Sequence, residues 1–600
     1  MLTLRAHCLA LILLFAAPAA AIEVQFASDE QPQLQEQPEI ITFSPKLLPL
    51  WLEAMRRPEL DLKRQAADAI SKAYTQGMRD VDAAVPVLVE QLQAENQRPV
   101  VLLAAAHALI AIDARSAAPL LRELAQTHGL DMAQLVEPAL ARWQYRPIRE
   151  IWLARLSEPT PHALRILAID CLAVVEQPQA REPLRRLALD PAAPADVRLH
   201  AARALGQIQQ EKLLNYAETL TQDLRPERLV DRLVGASLLA QHRGSDVEQV
   251  LLKIAIDPQP AVAAIALERL LQLDPKLVQP INERLVRSPD SKIRRLATQL
   301  LLGQHSAEAV AKLGDLLDDP HPAIRAGARE ALLELAQDAQ LDPAVRQAGM
   351  KVLETDERIH GVEQALILLG ALDHKPAAPR ALELLRARPP QVFITAGWTL
   401  RQLAVPETAA PMLERVKQQT QASLDRGAKK ESIDATEFNN LCDQLHHLIE
   451  ALGAIEYEPA EPLLRQYLPK PKLITNPLDI PQTTTREAGL RAGAIWSLGR
   501  LYAGEAEPEL VKIFIERLSD DNLSDPEAGV VRQEAAEALA RMEAADAAPV
   551  LRKFVKSDET PTDLGQTCAW ALAQLTGEPI AEVKPRRVQQ FGWFLEPLDP

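Results

Sequence analysis

The chain has 600 residues, with 82 Asp and Glu against 66 Lys and Arg, for a formal charge of -16. Hydrophobic residues make up 47% and aromatics only 4%, so the apolar content is mostly Ala and Leu, which favours close-packed helices over β-sandwiches. The acidic balance argues against nucleic acid, whose binders need a positive face, and against electrostatic docking on anionic lipid.

Residues 1–21 read as a secretory signal peptide. Arg5 supplies the positive start, residues 9–15 the short apolar stretch, and Ala19 and Ala21 the small-residue cleavage site, with cleavage expected after Ala21. The apolar run is too short for a membrane span of about 20 residues. Cleavage removes Arg5 and no acid, which takes the charge from -16 to -17. An exported chain follows, periplasmic or extracellular, with no integral membrane span after cleavage. Residues 22–44 carry no repeat and are rich in Gln, Glu and Pro, which predicts a disordered lead-in. Cys171, Cys442 and Cys568 remain, a sparse and odd set that makes no disulfide framework.

Residues 45–577 repeat one phrase. It reads "VRLHAARAL" from Val197, "LKRQAADAI" from Leu62 and "VLLAAAHAL" from Val101. Further copies start at Leu164, Val262, Ile293, Ile324, Val392, Leu490, Val531 and Leu564, and weaker ones at Met132, Val230, Gly361 and Gln444. From Val101 to Ile324 the step is 31 to 33 residues, the spacing of a solenoid. Positions one, five, eight and nine are apolar and share one helix face. Position five, often with six, is Ala or Gly, small enough for a neighbouring helix to approach closely. A second amphipathic segment lies between phrases, often with Pro in its first turn, as in "SAAPLLRELA" from Ser116. Each unit is therefore helix, turn, helix, turn, and stacked pairs bury what one pair cannot.

The phrase "VRxxAAxALG" after Asp-Pro resembles HEAT repeats, especially the short bacterial type and the phycobilisome lyase-like type. The resemblance covers roughly residues 45–575 and implies an all-α, right-handed α-solenoid of about 14–15 stacked helix pairs. It implies that a turn Asp ties to a basic residue at position two, with Asp190–Arg198, Asp319–Arg325 and Asp525–Arg532 as candidates. It also implies that the phrase helix lines the concave surface.

Departures from the repeat carry the functional reading. After Val392 the step widens to 52, 46 and 41 residues, through insertions near 418–437 and 469–486. Position seven is mostly polar, as at Asp68, His107, Glu330, Glu450 and Glu537, yet it holds Trp398, Trp496 and Trp570 in the C-terminal half. Exposed Trp is enriched at binding hot spots, so these three are candidate partner anchors, against packing of each ring on the next helix. The tail over 578–600 gathers Phe591, Trp593 and Phe594, as a cap for the open end of the solenoid or as a docking peptide.

Chemistry is sparse. No nucleophile elbow, phosphate loop or His-Glu-x-x-His motif is present. "CDQLHH" places Cys442, His446 and His447 on one helix without a further metal-ligand pair, and reads as an ordinary repeat helix. "SDDNLSD" from Ser519 lacks the Gly and final Glu of a calcium loop. The expectation is a non-catalytic scaffold without cofactor or metal, binding a protein or peptide along the concave surface, with no nucleic acid and the oligomeric state open. The alternatives are a bilin lyase-type protein and a purely structural subunit of an envelope complex.

Overall fold

The computed structural model describes residues 24–29, 38–209, 211–355, 359–429, 434–470, 485–523, 525–555, 562–580 and 585–597. The expected signal peptide and most of the 469–486 insertion lie outside these residues. The chain packs as two units, one holding residues 39–284 and 585 onward, the other residues up to 38 and 285–584.

The first unit runs through α1 (Leu47–Arg56), α2 (Leu60–Thr75), α3 (Ala84–Gln93), α4 (Pro99–Ala111), α5 (Ala118–Thr127), α6 (Gly129–Arg142) and α7 (Arg149–Ser157). It continues with α8 (His162–Val174), α9 (Arg181–Leu189), α10 (Ala195–Ile208), α11 (Leu214–Thr221), α12 (Leu229–Leu238), α13 (Ser245–Ile254) and α14 (Pro260–Leu273). The short α15 (Asn282–Val286) crosses the boundary. The second unit holds α16 (Ser291–Gln304), α17 (Ala307–Leu316), α18 (Pro322–Leu335), α19 (Asp342–Leu353), α20 (Ile359–Ala371), α21 (Ala378–Leu384), α22 (Pro390–Leu403) and α23 (Ala409–Lys429). Then come α24 (Ala435–Ala454), α25 (Glu461–Leu464), α26 (Thr485–Leu501), α27 (Pro508–Ser519), α28 (Gly529–Arg541), α29 (Ala548–Phe554) and α30 (Asp563–Thr576). Every phrase start falls inside an even-numbered helix, so the described residues carry fifteen helix pairs of α-solenoid type.

Within each unit every even helix packs on the next even helix, and each odd helix lies beside its partners on the other side. The small residues of the phrase make this possible. A side chain at Gly453 would bring its Cβ within 2.6 Å of the Ser497 Cα, so α24 and α26 meet backbone to backbone. Helix starts follow the sequence: Pro at the first turn of α4, α14, α18 and α22, and side-chain caps from Asp290, Ser306 and Asp434.

Six even helices end without the usual Gly. In α4, α6, α8, α20, α24 and α28 the turn residue has positive φ at Asp113, Gln144, Glu176, Asp373, Glu456 and Glu543. The next amide then donates to the carbonyl of the position-nine Leu, as from Ala114 to Leu109 (2.9 Å) and from Tyr457 to Leu452 (3.1 Å). The returned hydrogen bonds offset a left-handed cost of about 1–2 kcal/mol per non-Gly residue.

The expected Asp–Arg ladder takes a different register. Arg198 pairs with Asp231 (2.6 Å), Arg294 with Asp319 (2.6 Å) and Arg491 with Glu527 (2.7 Å), so position two reaches forward to the acid opening the next even helix. Asp190 and Asp319 each cap an amide of their own turn, at Ala192 and His321. Arg325 and Arg532 donate to the carbonyls of Asp319 and Leu518, and Asp525 pairs with Lys470.

Three other departures concern the ends and the first insertion. The segment over 418–437 lengthens α23 at its end and α24 at its start. Two short strands pair in parallel, β1 (Glu39–Thr42) with β2 (Arg586–Gln589). The tail, expected as a cap for the solenoid's last repeat, packs on the first pair. The Trp593 ring lies 5.7 Å from that of Trp51 and 5.8 Å from that of Phe43, and Trp51 Nε1 donates to the Phe594 carbonyl. Phe591 stays exposed at 69%.

Candidate functional site

The lead-in over 22–44 is expected to be disordered, yet Val24–Asp29 lies in the second unit, with the turn at Ala27–Asp29 against α26 and α28. The physical reason is Phe26, an aromatic ring that composition averages hide among Gln and Glu. It stacks on His446 at 3.9 Å between ring centroids and on His447 at 4.4 Å. Both histidines are buried on α24, as are Ala27 and Ser28.

Glu450, one turn further along α24, is the centre of the cradle. Its side chain is 0% exposed. Oε2 accepts from the Ala27 amide (2.8 Å) and from Arg401 Nη1 (2.7 Å), while Oε1 accepts from the Ser28 amide (2.9 Å) and lies 3.1 Å from His446 Nε2. The first amides of any helical turn lack a partner inside it. Glu450 therefore does for the Ala27–Asp29 turn what an N-cap side chain does for a helix, with a full charge. Burial alone would raise the Glu450 pKa, but His446 and Arg401 outweigh it and hold the carboxyl well below its usual range.

The wall opposite α24 is built by absence. Gly489 and Gly493 of α26 face His446, and a Cβ at Gly493 would fall 2.6 Å from the His446 Cδ2. Ser28 Oγ is 2.9 Å from His446 Nε2. Serine, histidine and glutamate in contact invite comparison with a nucleophilic triad. Here both oxygens meet the same ring nitrogen, whereas a triad needs the acid on the other one. The cluster holds a peptide and lacks triad geometry. His447 is fully buried, and among the described residues neither of its ring nitrogens has a hydrogen-bond partner. Burial pushes its pKa down to about 3, so it stays neutral.

Glu450 occupies position seven, the column of the candidate tryptophans. Over the last five even helices that column reads Trp398, Glu450, Trp496, Glu537, Trp570. All three tryptophans are half-buried. Trp398 packs on α20, where a Cβ at Gly370 would be 2.6 Å from its ring. Trp496 sits under the guanidiniums of Arg500 (5.2 Å) and Arg541 (5.9 Å). Glu537 is buried, and burial pushes its pKa up to about 7 against the pull of Arg541. Trp593 and Phe594 lie at the first helix pair of the other unit, with Lys72 Nζ 5.4 Å from the Trp593 ring.

Cys171, Cys442 and Cys568 are buried and form no disulfide among the described residues, and burial raises the Cys568 thiol to about 12. Among the described residues no three metal-ligating side chains gather, and no helix is long and apolar enough to cross a membrane. His446, read from the sequence as part of an ordinary repeat helix, spends its Nε2 on Ser28 and Glu450.

The HEAT repeats family matches residues 150–230, and the PBS lyase HEAT-like repeat matches residues 531–557. The chain carries HEAT repeats. No curated protein matches this HEAT-repeat chain. Among solved structures it is similar to yeast importin-beta (Kap95p) bound to RanGDP, at 14% identity and a TM-score of 0.50, covering 89% of this chain and 72% of that one. It is also similar to Kap95 in complex with Nup1, at 14% identity and a TM-score of 0.49, covering 89% and 73%. A third is importin-beta crystallised from ammonium sulfate, at 15% identity and a TM-score of 0.46, covering 88% and 72%. The first of these, at 14% identity and a TM-score of 0.50, carries the α-solenoid fold and nothing more.

Proposed function

We propose that this HEAT solenoid is an exported, non-catalytic scaffold that binds a protein or peptide on the face built by the even helices of its second unit. The observation that carries the reading is the seating of Phe26–Ser28 on that face, amides to Glu450 and ring to two imidazoles. A surface that holds one peptide turn by its backbone has the chemistry to hold another. The tryptophans at 398 and 496 flank the cradle on α22 and α26, and Trp570 extends the column. Partner-binding solenoids use long faces with a few aromatic anchors. Export rests on the sequence of residues 1–21.

The test is a pull-down from native envelope extract with the chain from Ile22 onward, beside the Trp398→Ala, Trp496→Ala, Trp570→Ala variant. A partner retained by the wild type and lost by a variant with unchanged helical circular dichroism is the expected result. Equal recovery by both would return the tryptophans to packing.

A further inference from the structure

We infer that Phe26–Ser28 fills, in cis, a peptide-reading site whose ligand in trans is a partner segment of the pattern aromatic–small–serine. This rests on the scaffold reading and narrows it to one cradle and one kind of sequence.

The cradle is more selective than helix packing requires. A buried carboxylate takes two successive amides, which demands a turn at the second and third ligand positions. Ala27 is buried against α26 and α28, which leaves room only for a small residue there. The serine hydroxyl meets a ring nitrogen. His447 is the second pointer. A fully buried imidazole with both nitrogens unpartnered among the described residues is a costly way to pack a core. It faces Phe26 as an aromatic plate. On α26 the glycines at 489 and 493 leave the other plate, His446, room that a Cβ would take.

The segment is held by two amides, one hydroxyl, the Phe26 ring and the buried Ala27, and all of these contacts are open to an identical peptide in trans. A copy carried on the same chain meets the site at a higher effective concentration than a free peptide does. A free peptide therefore competes poorly with the tethered copy, and a partner gains by adding contacts to the neighbouring tryptophans.

The probe is the fluorescein-labelled heptapeptide of residues 23–29, Glu-Val-Gln-Phe-Ala-Ser-Asp, amidated at its end. Its anisotropy is followed against the chain from Ile22 and against the full-length variants Phe26→Asp and Ser28→Pro, which unseat the tethered copy. Binding at least tenfold tighter to the released variants than to the wild type, and lost on adding Glu450→Gln, is expected. No binding to either released variant, or equal binding to the wild type, overturns the inference. Should neither variant keep its helical circular dichroism, excess peptide on the wild type decides. Faster amide hydrogen exchange over residues 24–29 supports it, and unchanged exchange overturns it. A partner captured through the tryptophans while the peptide fails leaves the scaffold reading intact, and peptide binding with no partner in extract does the reverse.

Discussion

Glu450→Gln isolates the charge at the centre of the cradle. Glutamine keeps the shape of the side chain but has one acceptor oxygen, while the carboxylate serves the Ala27 amide, the Ser28 amide and Arg401. At least one charge-assisted bond to the segment is lost, worth roughly 1.5–3 kcal/mol. The new NH2 group also points a donor at a donor. Arg401, 4% exposed, loses the counter-charge it holds at 2.7 Å. Breaking a buried pair costs about 3–5 kcal/mol. Much of that cost falls on α22 and α24 themselves, so the docking share is taken from the amide bonds alone. Exchange over residues 24–29 should then rise by about 10-fold to 100-fold, at about 1.4 kcal/mol per tenfold. Hydrogen-exchange mass spectrometry reads this directly, with the helices α16 to α20 as an unchanged internal standard. Exchange over the segment within about threefold of wild type, in a folded variant, would refute the role given to Glu450.

His447 binds no proton in the folded second unit until the pH nears about 3, whereas the unfolded chain takes one up below 6.5. The unfolded state therefore binds more protons between those values, and stability contributed here falls as pH drops, by about 1.4 kcal/mol per unit. Glu537, raised from 4.5 to about 7, slopes the opposite way between those values. From pH 7 to pH 5 the wild type should thus lose stability relative to His447→Leu, read from the urea midpoints, and a constant difference would count against a buried neutral imidazole. Gly493→Ala should release the segment and leave helix content unchanged, because its Cβ would meet His446 at 2.6 Å although Ala favours the helix by about 0.5–1 kcal/mol. Exchange mass spectrometry of residues 24–29 checks it, and a segment as protected as in wild type would show that the wall can yield. Trp593→Ala should destabilise α1 and α2 by about 2 kcal/mol, roughly half the loss of a fully buried aromatic, since the ring is half-buried between Trp51 and Phe43. Limited proteolysis near residue 57 would then speed up, and an unchanged rate would remove the tail from the first pair.

The repeat was legible because its physics is local. Small residues at positions five and six, apolar residues at one, eight and nine and Pro at helix starts are one-dimensional patterns, and all fifteen phrases became even helices. Helix ends were less legible, since Asp113 or Glu456 at positive φ looks like any polar turn residue. The ion-pair ladder was misread by one repeat because spacing along the chain does not say which neighbour a long Arg reaches. The cradle was hidden for a different reason. It joins Phe26 to Glu450 across more than 400 residues, and no period connects them. Two signals were present. The position-seven column alternates Trp, Glu, Trp, Glu, Trp from 398 to 570, and the lead-in carries Phe26 and Phe43 in a chain with 4% aromatics. Both rings pack.

The most direct test of the account is where Phe26 rests. With benzoylphenylalanine in place of Phe26 in the chain from Ile22, photo-crosslinking followed by mass spectrometry maps its neighbours. The account expects adducts in residues 442–454 of α24 and in the glycine-bearing stretch of α26, lost when the unlabelled heptapeptide is added in excess. Adducts scattered over the surface, or none, would contradict the seating of the segment and with it the peptide site.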